Sequence, residues 1–164
     1  CLTDLVKDIQ VIHQTGKKNY AEVVNTAGIV LRDNPNASRY HPFDYLGDLA
    51  MRMSAGVSTV VVSRAGSTIF EIAAWGLPSI IVPLGAEVSH DQTHNAFAYA
   101  RSGACTVIEE HNLSSHILTA EIQKIITNKT IQDKMKSNAA KFSRIDSADK
   151  IATALLAIGL EHEK

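Results

Sequence analysis

One stretch limits the choice of fold more than any other. "VSRAGSTIFEIAAWGLPSIIVPLG" runs from Val62 to Gly85. A β-branched run meets a turn of small residues. An apolar helical segment follows, then Gly-Leu-Pro, then a second β-branched run. Two strands joined through a helix run parallel, and the crossover is right-handed. The preceding "STVVVS" is apolar without alternation, so both faces of that strand are expected to be covered.

The same alternation extends in both directions. "IQVIHQTG" reads as a short strand ended by Gly16, and "KKNYAEVVNTAG" as a helix closed by Gly28. "RDNPNAS" is a loop and "RYHPF" a brief strand. "DYLGDLAMRMSAG" has apolar residues at Leu46, Leu49 and Met53, a helical spacing, and is expected to close at Gly56. Helix, strand and three further helices follow, through "DQTHNAFAYARSG", "CTVIEE" and everything after Leu113. The expected fold is α/β, a Rossmann-like parallel sheet flanked by helices, with residues 1–164 as one domain. In such sheets ligands sit outside the carboxyl ends of the strands. That puts Ser63–Thr68, Pro83–Gln92 and His13–Gly16 on one rim.

Charge and composition exclude several classes. Sixteen basic residues against 17 acidic ones leave a net charge of −1, too little basic excess for a general grip on nucleic acid. No apolar run approaches the roughly 18 residues that cross a bilayer. The opening "CLTDLVKDIQ" has neither the basic nor the apolar region of a signal peptide. Cys1 and Cys105 are too few for a metal framework and are expected to be free thiols in a reducing compartment. A start at Cys, with Leu2, Leu5 and Val6 at helical spacing, reads as a truncated chain that enters a helix part-way.

The turn itself has two compatible readings. Gly66 lets a ligand approach the backbone without a Cβ in the way. Ser67 and Thr68 add hydroxyls at a helix start, where unpaired N–H groups attract phosphate. Thr68-Ile-Phe-Glu71 also fits a capping box, with Thr68 as cap and Glu71 reaching back. Gly76 and Pro78 are helix-stop signals. Arg64 could meet a phosphate or bridge to a carboxylate. Trp75 reads as an apolar anchor behind the helix. His13 reads as a packed or hydrogen-bonded histidine. His90 and His94 echo a zincin spacing, but the second position is Asp91 rather than Glu and no third ligand is evident. "NKTIQDKMKSNAAK" reads as a solvated charged face.

The motifs "SRAG", "STIFEIAAWGLPSIIVPL" and "DQTHNA", with "VIHQTG" upstream and "FSRIDSADKIA" near the end, resemble the donor half of the MurG family. These are two-domain GT-B glycosyltransferases that use UDP-N-acetylglucosamine in peptidoglycan synthesis. The resemblance implies that the helix starting near Ser67 and Thr68 faces the diphosphate, where Gly66 and Arg64 are candidates on the chemistry above. It implies that Glu71 holds the ribose hydroxyls and that Gln92, with Asp91, meets the donor sugar. Asp44 falls in the uracil-reading loop. The implied acceptor is a lipid-linked muramyl-pentapeptide, bound by a further N-terminal domain. The implied location is the cytoplasmic face of the membrane, as a peripheral protein. No cofactor and no metal are expected, since no third ligand is evident near His90 and His94 and helix N–H groups bind a diphosphate without a cation.

The chain departs from the family pattern in three places. The Gly66–Thr68 turn is one residue shorter, the Pro83–Gln92 loop about one longer, and the Phe43–Arg64 segment several longer. The family's proposed catalytic base and its first strand, with a Gly-Gly-Ser loop, are expected outside these residues. A neighbour of that strand is then expected to expose an unpaired edge. No catalytic residue is assigned. Two alternatives remain: a non-catalytic donor-binding subunit that needs a membrane partner, and a metal hydrolase using His90 and His94.

Overall fold

The computed structural model describes residues 1–85, 88 and 90–162, and the side chains of residues 90, 91, 161 and 162 lie outside that description. Helix α1 (Leu2–Asp8) leads into strand β1 (Val11–Gln14), helix α2 (Tyr20–Val30) and strand β2 (Tyr40–Phe43). β1 and β2 run parallel, with Val11 opposite Tyr40 and Gln14 opposite Phe43. Helix α3 (Asp48–Val57) carries the chain to β3 (Val61–Ser63), α4 (Thr68–Ala74), β4 (Ser79–Ile81), α5 (His90–Arg101) and β5 (Cys105–Val107). The last three strands form a parallel sheet in the order β3-β4-β5. Helices α6 (Ser115–Thr127), α7 (Lys129–Phe142) and α8 (Ser147–His162) follow.

β4 is central and shows why the sheet needs helices on both faces. Side chains alternate along a strand. Ile80 and Val82 pack with Leu5 of α1 and with Ile122, Ile125 and Met135 of α6 and α7. Ile81 points the other way, into Ile69 and Ile72 of α4, Tyr99 of α5 and Ala139 of α7. Burying one such isoleucine fully contributes about 1.5–3 kcal/mol.

The helices around this sheet are locally well terminated. Ser114 and Asn128 cap α6 and α7 by accepting from the Ile117 and Ile131 N–H groups. Buried Gln132 donates its amide to the Ile125 and Ile126 carbonyls, which closes the end of α6. After α4, Gly76 adopts φ +65, the Gly76 N–H bonds to Ala73 and the Leu77 N–H to Ile72. That is a Schellman closure, in which glycine tolerates the left-handed backbone.

Several expectations are corrected. α2 does not stop at Gly28 but runs to Val30, and Gly28 has no left-handed φ. α3 has the expected helical spacing, yet only Leu46, just before it, is buried; Leu49 and Met53 are exposed. β3 is not covered on all sides, since Val62 is 43% exposed. β3 has one strand neighbour, β4, and β1 has one, β2. Residues of β1 and β3 line a cavity of about 760 Å³, with Ile12, Val62, Leu5 and Leu118 among its lining. Among the described residues, β1 and β3 are thus edge strands.

Among the described residues, no helix is long and apolar enough to cross a membrane.

Candidate functional site

The carboxyl ends of β3, β4 and β5 form the rim on which most of the candidate residues fall. Arg64, Gly66, Ser67 and Thr68 follow β3, and Gln92 lies in the first turn of α5 after β4. Asp44 follows β2, in the other sheet. The side chains of Asp91 and His90 lie outside the described residues.

The turn into α4 does not form the capping box. Ser67 is the N-cap, Thr68 is the first helical residue, and the Ser67 side chain makes no cap hydrogen bond. The Ile69 N–H bonds to the Gly66 carbonyl and the Phe70 N–H to the Ser67 carbonyl. The turn is tightened by these backbone bonds, so Glu71 is not drawn back to the cap. Glu71 is exposed one turn into α4. Ser67 is exposed as well, while Gly66 and Thr68 are half-buried. With the Ile69 and Phe70 N–H groups bonded to those carbonyls, this start offers an anion the positive end of the helix dipole and the other N–H groups of the turn.

Arg64 takes the carboxylate alternative. Its Nη2 donates to Glu110 Oε1 at 2.7 Å, and its Nη1 reaches the Val82 and Pro83 carbonyls at 3.3 and 3.4 Å. Glu110 Oε2 also accepts from the Gly85 N–H at 3.3 Å. The hydrogen bond from Arg64, with that from Gly85, holds the Glu110 carboxyl below its ordinary value. Gln92 Oε1 accepts from the Leu84 N–H at 3.0 Å. A backbone N–H can pair only with the amide oxygen, so the Gln92 NH2 group is left to donate elsewhere. The Asp44 carboxylate accepts from the Tyr45 N–H at 2.7 Å and is exposed.

The other singled-out residues separate by burial. His13 is exposed, not packed in a core; its Nδ1 lies 2.8 Å from the Tyr40 hydroxyl, and partial desolvation lowers its pKa. Trp75 is half-buried against the cluster behind α4. Cys105 is buried, and burial pushes its thiol to about 12, which makes it a poor nucleophile at neutral pH. His94 is exposed, and among the described residues no three His, Cys, Asp or Glu side chains come together as a metal site. Glu110 was missed from the sequence. "CTVIEEHN" ends a strand, so the rule that chose Arg64 could have found it.

Comparison with known proteins adds what the geometry leaves open. The model of the glycosyltransferase family 28 C-terminal domain matches residues 1–151. The chain belongs to that family. Curated relatives named UDP-N-acetylglucosamine--N-acetylmuramyl-(pentapeptide) pyrophosphoryl-undecaprenol N-acetylglucosamine transferase align over most of the chain. The Listeria welshimeri protein is 31% identical over 93% of this chain and 40% of its own length. The Clostridium novyi protein is 33% identical over 94% of this chain and 40% of its own. The chain thus spans about 40% of the length of these relatives. The crystal structure of Acinetobacter baumannii MurG matches with a TM-score of 0.75 at 20% identity, covering 95% of this chain and 46% of that one. That likeness shows the fold, and the family 28 domain is Rossmann-like and MurG-like in its architecture.

Proposed function

We propose that this chain is the donor-binding half of a hexosyltransferase that moves N-acetylglucosamine from UDP-N-acetylglucosamine to a lipid-linked muramyl-pentapeptide. The observation that carries the reading is the family match over residues 1–151, joined to relatives of that printed activity aligned over more than nine-tenths of the chain. Residues 1–164 act as one nucleotide-sugar-binding domain. Gly66, Ser67 and Thr68 receive the diphosphate, Glu71 the ribose hydroxyls, and Gln92 with Asp91 the sugar. Asp44 lies in the loop that reads the base. The acceptor binds a further domain, and the whole enzyme works as a peripheral protein on the cytoplasmic face of a membrane.

The chemistry asked of these residues is modest. An acceptor hydroxyl attacks the anomeric carbon, and the nucleoside diphosphate leaves. The positive end of the α4 dipole, with N–H groups of the turn before it, would stabilise the charge that grows on the leaving group. No metal and no cofactor is required for that step, and no residue of this chain is assigned as the base.

Calorimetric titration with UDP and UDP-N-acetylglucosamine tests the reading. Glu71→Ala is expected to weaken UDP by about 1.5–3 kcal/mol, the worth of one hydrogen bond to a charged group. Because Glu71 makes no cap, the variant should melt within about 0.5 kcal/mol of the parent, as an exposed substitution does. Equal affinity in parent and variant removes Glu71 from the site. The chain alone should transfer no sugar, since aligning two substrates supplies roughly 7–11 kcal/mol in favourable cases.

A further inference from the structure

Four consecutive residues after β4 are fastened from three directions. Arg64, just past β3, bonds to the carbonyls of Val82 and Pro83. Gln92 of α5 accepts from the Leu84 N–H, and Glu110, past β5, accepts from the Gly85 N–H. Arg64 and Glu110 are then joined to each other at 2.7 Å. The strand ends that line the rim are thereby tied through one guanidinium and one carboxylate.

We propose that Arg64 and Glu110 form a single positioning unit that sets the Val82–Gly85 segment for ligand binding, and that Arg64 does not itself grip the diphosphate. This rests on the nucleotide-sugar reading above. The guanidinium fork is already spent on a carboxylate and two carbonyls, and Glu110 neutralises its charge. The pair is 46% and 43% exposed, and ion pairs at such exposure add little to global stability. Its effect is therefore local: it fixes where the Leu84 and Gly85 backbone stands, and with it the bond that orients the Gln92 amide. Glu110 is not a catalytic residue, since it acts through Arg64 and the backbone.

The opposite arrangement makes a prediction of opposite sign. If Arg64 were a phosphate ligand and Glu110 only its resting partner, removing the carboxylate would free the guanidinium and tighten binding. Arg64→Lys would also retain much of the affinity, because it retains the charge. In a positioning unit, both changes break the same clasp. Lysine lacks the fork that reaches Glu110 and the carbonyls together.

The experiment is a double-mutant cycle on the 164-residue chain with UDP as probe. Glu110→Gln and Arg64→Lys are each expected to weaken UDP about ten-fold, and the double variant no further, because the two residues belong to one network. Melting temperatures should stay within about 2 °C of the parent. Hydrogen exchange of the Gly85 amide should quicken in both single variants, with or without UDP. Unchanged or tighter UDP binding by Glu110→Gln, or additive losses in the double variant, overturns the proposal. If the parent chain itself fails to bind UDP, the functional reading falls, and the Gly85 amide still decides the clasp: equal exchange in parent and both variants refutes it.

Discussion

The β3–β5 half and the β1–β2 half use the same strand–helix alternation, yet they bury very different amounts of it. Ile80 and Ile81 of β4 are fully buried, as are Ile69, Ile72 and Tyr99 around them. In the other half, Ile12 of β1, Val24 and Ile29 of α2, and Leu49, Met53 and Val57 of α3 are exposed. The apolar content of the segments does not explain the contrast. Strand neighbours do: among the described residues β4 has two, while β1 and β3 have one each, and residues of both line one cavity. A parallel strand is buried only when both edges and both faces are occupied.

The sharpest way to break this comparison is to cut the same side chain in both halves. Ile80→Ala should cost about 2–5 kcal/mol, since a fully buried isoleucine leaves a cavity. Ile12→Ala, at 39% exposure, should cost under about 1.5 kcal/mol, because water already reaches the site. Urea unfolding of both variants checks the difference. Similar losses would mean that the β1–β2 half is as tightly packed as the other.

Two glycines give a smaller contrast with opposite signs. Gly76 sits at φ +65 in the closure of α4, so Gly76→Ala should cost about 1–3 kcal/mol of backbone strain. Gly28 lies inside α2, and an added Cβ there meets nothing within 4 Å. Gly28→Ala should stabilise by about 0.4–1 kcal/mol. Thermal melts of the two variants should move in opposite directions.

These two glycines also show what the sequence can and cannot tell. Both looked like helix stops. Gly76 is one because Leu77 and Pro78 follow, and a buried leucine packs back on the helix it closes. Gly28 lacks those partners, and the helix continues. The alternation of elements and the rim were legible because periodicity and turn residues are local. The capping box was misread because the helix takes Ser67 as its N-cap, one residue before Thr68, which puts Phe70 rather than Glu71 at the third helical position. Exposure of Val62 was illegible, since it depends on what lies beside β3. The Arg64–Glu110 pair was hidden by the 46-position separation of its members.

Weaker still is the effect of the open edges on association. Unpaired strand edges invite pairing with another chain. Light scattering should show dimers or larger species at high protein concentration. Val62→Lys places a charge at the edge of β3 and should shift the population towards monomer, with little change in melting because Val62 is half-exposed. A monodisperse monomer for the parent at every concentration would mean that these edges are shielded from other chains.

The smallest expected effect is on pH, and it separates the halves by window rather than by size. His13, in β1, has its pKa lowered from 6.5 by desolvation. Between its folded value and 6.5 the unfolded chain holds the extra proton. Stability is therefore full above 6.5, declines as pH falls through that window, and levels off below the folded value. Glu110, past β5, has its pKa lowered from 4.5, first by the Arg64 hydrogen bond. Its contribution is present above 4.5 and is lost as pH falls through the folded value. Both groups are substantially exposed, so each step should be shallow. Melts from pH 7.5 to 3.5 should show two separable declines. His13→Gln should remove only the upper one, and Glu110→Gln should shrink only the lower, to which Asp4, also lowered by its Lys7 hydrogen bond, contributes. Loss of both declines from a single substitution would show that the β1–β2 half and the β5 rim titrate as one coupled unit, against the independence their packing implies.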